Sequence, residues 1–487
     1  MSSENLLFLF SDEHEARVLG TAGHPLARTP NLDRLAARGT RFASAWTPSP
    51  LCVPARASLA TGRFVHDIGY WDNAIAYDGR VPGWGQRLQA EGLRVEAIGK
   101  LHYRNHTDPT GFDRQIEPTH ILGGIGQVWG SVRDPMPESA GPSPLFAQLG
   151  AGESSYNRYD RRVAENAIGW LQERSRSPDK KPWVLFVGFV APHFPLVVPQ
   201  NYLERYPLQA VPLPKLLPRD GWRRHPWVEA QARHMDHDAS LATDERRKLA
   251  LASYYGLCSF LDEQIGRVLQ ALEAAGLEAS TRVIYTSDHG DNLGARGMWN
   301  KCLLYRESTA VPLIVSGPGV ARGRVCTTNV NLVDVYQSVL DCVGLEPARA
   351  EAPLPGKSLF RVASERDDAE RLGFSEYHAV GSVSAAFMLK RGRFKYHYYV
   401  GFAPELFDLE SDPEEARDLA GDPRYRDTLA RFESDLRAML DPEEIDRRAK
   451  REQAQLVNRF GGREKALKTG TPGATPVPDK PAQATKG

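Results

Sequence analysis

Short apolar runs recur along the chain, and each is followed at once by polar residues. The clearest runs cover residues 5–10, 94–98, 183–189 and 282–286. A nearly continuous apolar run is typical of a strand that is buried on both faces of a parallel sheet. Segments with a helical spacing of apolar residues, such as 161–174 and 245–275, lie between these runs. The alternation predicts an α/β fold, with a large mixed but mainly parallel sheet flanked by helices.

The pattern changes toward the C-terminus. Alternating apolar and polar residues at 385–399, with a turn at 391–393, predict a small antiparallel sheet, and helical segments follow. The 461–487 segment is rich in Gly, Pro, Lys, Thr and Ala, a composition typical of a flexible tail or of an arm that embraces another subunit. We therefore predict a main α/β domain at 1–375, a C-terminal α+β subdomain at 376–460, and this tail.

Composition narrows the function classes. The chain of 487 residues has 61 Lys and Arg against 61 Asp and Glu, so it has no overall bias toward nucleic acid or an anionic membrane surface. Its five cysteines are unevenly spaced, which argues against a disulfide framework and for a reducing compartment. The N-terminal residues lead directly into the first strand, and no apolar run reaches transmembrane length. We expect a soluble cytoplasmic protein that binds neither nucleic acid nor membrane.

Polar residues that are able to do chemistry follow the predicted strands. They are Asp12, Glu13, Lys100, His102, His193, Asp288 and His289. In open α/β sheets, ligands bind just beyond the carboxyl ends of the strands, so these side chains would share one edge. Each has an ordinary alternative: the acidic residues would cap turns, the Lys–His pair would be exposed, and a lone histidine is more often structural. Oxygen and imidazole groups together suit a divalent cation.

A loop rich in proline leads into a short helical pattern at residues 49–63. The pattern becomes helical from Arg56, and Gly62 ends it. Cys52 and Arg56 would therefore lie at or near a helix N-terminus, where unpaired N–H groups and a guanidinium suit an anion. The alternative is that Cys52 is a buried structural thiol.

Several stretches resemble the signatures of the sulfatase family. They are C-x-P-x-R followed by A-S-L-A-T-G-R at 52–63, T-P-N-L-D at 29–33, G-K-x-H at 99–102, P-H-x-P at 192–195, T-S-D-H-G-x-x-L-G at 286–294 and E-L-F-D-L at 405–409. The last has Phe407 where the family has Tyr. The resemblance covers residues 5 to about 420. It implies the alkaline phosphatase-like sulfatase fold, with 1–375 as the catalytic domain.

The resemblance also implies a modified cysteine and a metal ion. In the family, a formylglycine-generating enzyme oxidises this cysteine to formylglycine, an aldehyde whose hydrate is the nucleophile, which makes Cys52 the expected nucleophile position. Asp12, Asp288, His289 and the modified Cys52 would hold one divalent cation, which we expect to be calcium, with manganese or magnesium as alternatives. Glu13 stands where the family usually has a second Asp, which leaves open whether it ligates the metal directly.

Three cationic residues receive roles from the same resemblance. Arg56 and Lys100 would neutralise the nucleophile, and Lys301 would contact the sulfuryl oxygens of the substrate. Without the resemblance, Lys301 would be read as an ordinary surface lysine.

Two histidines and an asparagine complete the expected site. His193, together with Lys301, would protonate the leaving alcohol, and His102 would accept a proton from the second hydroxyl of the hydrate. Asn73, in a stretch otherwise typical of an exposed turn, would contact the oxygens of the substrate. Residues 111–159, rich in Gly, Pro and Ser, would form loops over this face and influence substrate choice.

The expected function is hydrolysis of a sulfate monoester, an aryl or small alkyl sulfate. The main alternative is a phosphonate monoester hydrolase or phosphodiesterase of the same superfamily. Those enzymes depart from the Lys–His pair of G-K-x-H, whereas Lys100 and His102 are both present here, which favours sulfate. A second alternative is a non-catalytic metal-binding or anion-binding relative in which Cys52 is not converted. The expected partners are a small-molecule sulfate ester and the formylglycine-generating enzyme, and we expect a homo-oligomer.

Overall fold

The structure, a computed structural model, describes residues 3–138, 143–179, 181–346, 353–471, 473–478 and 485–486. Its strands, in chain order, are β1 Asn5–Asp12, β2 Gly39–Phe42, β3 Ala45–Trp46, β4 Arg94–Lys100, β5 Arg114–Thr119, β6 Leu149–Ala151, β7 Trp183–Pro192, β8 Leu196–Val198, β9 Thr281–Ser287, β10 Leu313–Ser316, β11 Arg324–Cys326, β12 Val330–Asn331, β13 Gly373–Tyr377, β14 Ala386–Arg391, β15 Phe394–Tyr399, β16 Glu405–Asp408 and β17 Thr485–Lys486.

Its α-helices separate many of these strands. They are α1 Pro30–Ala37, α2 Cys52–Thr61, α3 Val65–Ile68, α4 Trp84–Ala90, α5 Ser155–Ser175, α6 Gln200–Leu203, α7 Pro226–His234, α8 Asp244–Ala274, α9 Arg306–Thr309, α10 Asp334–Cys342, α11 Leu359–Ser364, α12 Arg426–Met439, α13 Pro442–Arg459 and α14 Arg463–Ala466.

Nine of the described strands form one large sheet, in the order β11-β2-β10-β9-β1-β7-β4-β5-β17. The five strands from β9 to β5 in this order run parallel to one another. Strand β10 is antiparallel to both of its neighbours, and β17 is antiparallel to β5. The predicted mixed, mainly parallel sheet is therefore confirmed.

Strand β1 is central because its side chains are apolar on both faces. Leu7 and Leu9 belong to the core that also contains residues of α5 and α8, whereas Leu6, Phe8 and Phe10 belong to the core on the other face, with residues of α2 and α10. All five are buried. This two-sided burial explains why the run is continuously apolar rather than alternating. It also holds the carboxyl end of β1 in the middle of the sheet edge.

The C-terminal part adds a second, four-stranded sheet in the order β13-β14-β15-β16, antiparallel throughout. The first strand begins at Gly373, shortly before the boundary predicted at 376. The apolar face of this sheet packs against helix α12, where Tyr396 of β15 stacks on Phe432 with ring centroids 5.6 Å apart. The small antiparallel sheet with helices is thus confirmed.

The five cysteines are all buried free thiols, in agreement with the prediction of no disulfide framework. Within the described part of the chain, no helix combines the length and the apolar character that crossing a bilayer requires.

Candidate active site

The carboxyl ends of the central strands open into a cavity of about 740 Å³. Asp12 ends β1, Lys100 ends β4, and Asp288 follows β9. These ends share one edge because the strands are parallel and in register, with Asp12 opposite Pro192 and Ser11 opposite Ser287. The predicted residues that line the cavity are Cys52, Asn73, Lys100, His102, His193 and Lys301. The sequence prediction that these separated motifs would lie at one edge agrees with this placement.

Cys52 is the first residue of helix α2, four residues earlier than the predicted start at Arg56. Leu51 before it is extended and does not cap the helix with its side chain. The Cys52 Sγ lies 3.3 Å from His289 Nε2 and 4.0 Å from Asp12 Oδ1. Burial, reinforced by Asp12, raises the pKa of the thiol to about 12. The unmodified thiol is thus not an activated thiolate.

Four side chains converge beneath the cavity. Asp12, Cys52, Asp288 and His289 are all buried, and their ligand atoms lie within 4.8 Å of one another. The His289 Nδ1 donates to the Gly290 carbonyl at 3.0 Å, which leaves Nε2 with its lone pair toward the carboxylates. Burial lowers the pKa of His289 to about 4, so the ring is neutral near pH 7.

Two cations hold the outer oxygens of the carboxylates. Arg56 Nη2 donates to Asp12 Oδ2 at 2.9 Å, and Arg56 Nε donates to Asp288 Oδ2 at 2.8 Å. Lys100 Nζ lies 2.5 Å from Asp12 Oδ2. Burial alone would raise the pKa of Asp12, but Lys100, His193 and Arg56 hold it well below its ordinary value. The Oδ1 atoms of the two carboxylates therefore remain for the inner cluster.

The donor set fits a divalent cation. Two carboxylates and a neutral imidazole nitrogen face one point, and oxygen with imidazole ligands is typical of calcium, magnesium, manganese or zinc sites. Backbone N–H groups of Glu13 and His289 donate to Asp288 Oδ1 at 3.1 and 3.0 Å, which orients that carboxylate.

Glu13 takes a different position from the four clustered ligands. It has a left-handed backbone conformation (φ 68°), and its Oε2 lies 3.1 Å from Lys301 Nζ and 3.4 Å from His193 Nε2. Its Oε1 is buried and has no hydrogen-bond partner among the described residues. Asp12, Glu13 and His193 form a second group of ligand atoms within 4.8 Å. The Glu13 carboxylate thus lies close to Asp12 on one side and to Lys301 and His193 on the other.

His193 is directed by the loop that follows strand β7. Its Nδ1 donates to the Phe194 carbonyl at 2.7 Å, so Nε2 faces Glu13 and Asp12. The end of the strand is held by Asp160 in helix α5, whose carboxylate accepts from the Val190 and Ala191 N–H groups at 2.8 Å each. This buried carboxylate was missed at the sequence level, because a polar residue in an amphipathic helix carries no distinguishing signal.

Lys301 and Asn73 reach the cavity from loops. The Lys301 backbone carbonyl accepts from Asn292 Nδ2 at 3.0 Å, and the Cys302 N–H donates to the Pro50 carbonyl at 3.1 Å, which joins this loop to the one that carries Cys52. Asn73 Oδ1 accepts from the Val53 N–H at 3.1 Å. The asparagine thus ties its turn to the N-terminus of α2.

His102 lies beside these groups in the cavity. Its backbone is left-handed (φ 59°), and its N–H donates to the Thr119 carbonyl at 2.8 Å. The ring Nε2 lies 2.8 Å from Thr475 Oγ1. Thr475 belongs to the 461–487 segment predicted to be a tail or arm, and no motif at the sequence level marked it. The described part of that segment lies against its own chain.

Family models match most of the chain. A model described as "Sulfatase" matches residues 4–345, and one described as "N-sulphoglucosamine sulphohydrolase, C-terminal" matches residues 294–441.

Similar proteins were found by sequence and by structure. A "Choline-sulfatase" from Rhizobium meliloti (strain 1021) is 29% identical over 470 residues, covering 93% of this chain and 90% of that protein. An "Arylsulfatase K" from Bos taurus is 27% identical over 467 residues, covering 90% and 81%. The structure of a phosphonate monoester hydrolase from Agrobacterium radiobacter superposes with a TM-score of 0.70 at 23% identity, covering 89% and 95%, a similarity of fold.

Proposed function

Because the chain belongs to the sulfatase family of sulfuric ester hydrolases, we propose that it hydrolyses an aryl or small alkyl sulfate monoester. The nucleophile would be formylglycine made from Cys52, and the cofactor one divalent cation, with calcium expected and manganese or magnesium as alternatives. The supporting observation is the convergence of Asp12, Cys52, Asp288 and His289 within 4.8 Å at the floor of one cavity.

The modified Cys52 would supply a hydroxyl nucleophile that an unmodified thiol does not. A cation held by Asp12, Asp288, His289 and residue 52 would favour the ionised hydroxyl and polarise the ester. Arg56 keeps both carboxylates in place through its two hydrogen bonds. Its guanidinium is buried, so the arrangement is preorganised before substrate binds.

The lysines would stabilise negative charge on the substrate, and the histidines would transfer protons. Lys100 and Lys301 line the cavity and would stabilise negative charge on the ester oxygens and the nucleophile. His193 Nε2 faces the floor, and in its protonated form would give a proton to the leaving alcohol. His102 has a buried Nδ1 without a hydrogen-bond partner among the described residues, and it would accept a proton from residue 52.

The side chains that line the cavity favour a substrate with an uncharged leaving group. The apolar side chains that line it include Leu51, Ile121, Trp129, Phe194, Met235 and Val380. Among the described lining residues, Lys468 is the only Lys or Arg other than Lys100 and Lys301. Burial lowers the pKa of His237 to about 4, so this wall residue adds no positive charge near pH 7. A polyanionic substrate would find few counter-charges there, whereas an aryl or alkyl group would bury apolar area.

A phosphonate monoester or phosphate diester is the second candidate substrate. The fold similarity to a phosphonate monoester hydrolase supports it only at the level of architecture. The presence of both Lys100 and His102 in the cavity favours the sulfate ester.

Two measurements test the proposal. The mass of the peptide that contains Cys52 should show an aldehyde, and an unmodified thiol in active-site peptides from a host with the converting enzyme would contradict the mechanism. Parallel kinetics should compare an aryl sulfate, choline sulfate, a phosphate diester and a phosphonate monoester at equal concentrations. We expect the highest kcat/KM for a sulfate ester, and faster turnover of the phosphonate would move the assignment to the alternative.

A further inference from the structure

The C-terminal strap, which we define as residues 467–471 and 473–478, lines one side of the active-site cavity. Its members that line the cavity are Leu467, Lys468, Gly470, Thr471, Gly473, Ala474 and Thr475. The strap is thus a wall of the cavity that holds Cys52, although it lies far from Cys52 in the chain.

Side chains of the main domain hold the strap by its backbone. Trp129 Nε1 donates to the Thr471 carbonyl at 3.0 Å, and Gln127 Nε2 donates to the Gly473 carbonyl at 3.0 Å. Tyr156 Oη donates to the Thr475 carbonyl at 2.5 Å. The acceptors are main-chain carbonyls, which any residue would offer. The identity of the strap residues therefore matters little for these anchors, and the side chain of Thr475 calls for a separate explanation.

Among the described residues, the side chain of Thr475 has one hydrogen-bond partner, the ring of His102. Its Oγ1 lies 2.8 Å from His102 Nε2, and both residues are buried. The other ring nitrogen, Nδ1, is buried and has no hydrogen-bond partner within the described part of the chain. The orientation of the imidazole about its side-chain torsions is thus fixed by a single hydrogen bond. Burial, with Lys100 and Arg56 nearby, lowers the pKa of His102 well below its ordinary value, so the ring is neutral.

We propose that Thr475 is a positioning residue for His102, which rests on the proposed role of His102 as a proton acceptor. A neutral imidazole carries one proton, and the nitrogen that accepts must be the other one. When Nε2–H donates to Thr475 Oγ1, the lone pair resides on Nδ1, the nitrogen that has no partner among the described residues. The threonine hydroxyl thereby holds the ring in one orientation and, as an acceptor, matches the tautomer that proton acceptance at Nδ1 requires. Partners of this kind change activity without touching the substrate.

Three single variants of the full-length, Cys52-converted enzyme test this role, with an aryl sulfate as substrate. Thr475→Val keeps the shape of the side chain and removes the hydroxyl, and it should lower kcat by about 10- to 100-fold with little change in KM. Thr475→Ser keeps the hydroxyl and should restore most of kcat. Melting temperatures of both variants should stay close to that of the wild type, because a single hydrogen bond contributes little to the stability of a chain of this size.

Gly470→Ala separates loss of the strap from loss of the hydroxyl. Gly470 has φ 103°, and an added Cβ would lie 2.1 Å from the Gly126 carbonyl oxygen, so this variant must shift the strap. Because the strap forms a wall of the cavity, we expect KM to rise in this variant along with a fall in kcat. The contrast between a kcat effect alone and a combined effect distinguishes positioning from wall formation.

If Thr475→Val turns over at the wild-type rate, or if Thr475→Ser is as slow as Thr475→Val, the positioning role is wrong while the sulfatase proposal stands. If Thr475→Val raises KM and lowers kcat together, as Gly470→Ala should, the threonine only forms part of the cavity wall and the positioning role is wrong. If the wild type with converted Cys52 hydrolyses no sulfate ester, the proposed function fails first, independently of Thr475.

Discussion

Two buried clusters of charged residues in this protein have similar composition but different surroundings. The first is the cavity floor with its carboxylates, lysines and histidines. The second, the seam cluster, lies between the main domain and the C-terminal sheet, and consists of Arg296, Glu307, Lys395, Glu405 and Glu415. Every member of both clusters is buried. Burial of charge is therefore not, by itself, the mark of a functional site.

The seam cluster pairs its charges within each part of the chain, and its hydrogen bonds to main-chain carbonyls cross the contact between the parts. Lys395 Nζ lies 2.6 Å from Glu415 Oε1 and donates to the Leu304 carbonyl at 2.7 Å. Arg296 donates to both carboxylate oxygens of Glu307 at 3.3 Å. None of the five seam residues lines the active-site cavity. The charges thus face each other, and their contribution is to hold one layer on another.

The floor of the cavity differs in where its atoms point. The Oδ1 atom of Asp12 and the Nε2 atom of His289 converge with Cys52 Sγ on one point, while their outer atoms are held by other residues. This pattern leaves polar atoms directed at a space that a ligand would fill. Convergence of ligand atoms on one point beneath a cavity, rather than charge or burial, separates the functional cluster from the structural one.

The largest effect should come from removal of the side chain at residue 52, the proposed nucleophile. Cys52→Ala should reduce hydrolysis of an aryl sulfate by about 10⁴-fold or more, because no hydroxyl nucleophile is then formed. Cys342→Ala is the matched control, since Cys342 is an equally buried free thiol that does not line the cavity. It should retain kcat. Substantial activity in Cys52→Ala, measured by steady-state kinetics, would place the chemistry elsewhere.

Removal of a carboxylate from the proposed metal cluster should have the next largest effect. Asp288→Asn leaves Arg56 with a neutral partner and takes a negative charge from the cluster, so activity should fall by about 100-fold or more. Elemental analysis should find less bound metal per chain. Asp334→Asn, a buried carboxylate at the start of α10, should leave the metal content unchanged. Treatment with a chelator and addition of calcium, manganese or magnesium would identify the ion. Equal metal content in both variants would refute the ligand assignment.

Breaking the seam cluster should affect stability and not chemistry. Lys395→Met leaves Glu415 without its buried cation and should lower the free energy of unfolding by about 3–5 kcal/mol, as measured in urea. The kcat of the folded enzyme should not change. The double variant Lys395→Met with Glu415→Gln should recover part of the stability, because it no longer buries an unpaired charge. A loss of kcat at full stability would show that the seam communicates with the cavity.

A smaller, partly buried ion pair should produce a modest pH dependence. His66 Nδ1 lies 2.9 Å from Glu376 Oε1. Burial lowers the pKa of His66, but Glu376 raises it more, so the net pKa is above its ordinary value. The stabilisation that this pairing adds is complete below the ordinary pKa of histidine and is lost as pH rises through the folded-state pKa.

We therefore expect the stability advantage of the wild type over Glu376→Gln to be greatest near pH 6 and to shrink by about 1 kcal/mol toward pH 8. Urea unfolding at both pH values measures it. An advantage that grows with pH would have the wrong sign.

The strand-end residues could be predicted because their signals are local. Each apolar run identified a buried strand, and Asp12, Lys100, His193 and Asp288 followed these runs directly. Parallel strands in register bring such ends together, so local patterns sufficed to predict convergence. The start of α2 was placed too late, at Arg56, because Pro54 is tolerated in the first turn of a helix.

The contacts of Glu13 and Thr475 could not be predicted in the same way. Glu13 follows Asp12 in the chain, yet its left-handed backbone turns its carboxylate to Lys301. Thr475 lies in a segment whose composition suggested a tail, and its anchors are hydrogen bonds from remote side chains to main-chain carbonyls. Such acceptors are common to all residues and leave no trace in composition or spacing.

The sequence by itself determined the mainly parallel sheet, the positions of its buried strands along the chain and the residues that follow them, because hydrophobic periodicity and short motifs act over a few neighbouring residues. Only the tertiary structure decided the order of the strands in the sheet, which carboxylate oxygens face the common point, which buried charges meet at the seam, and that Thr475 of the C-terminal strap contacts His102. These features depend on distances between residues hundreds of positions apart, and such distances exist only once the chain has packed.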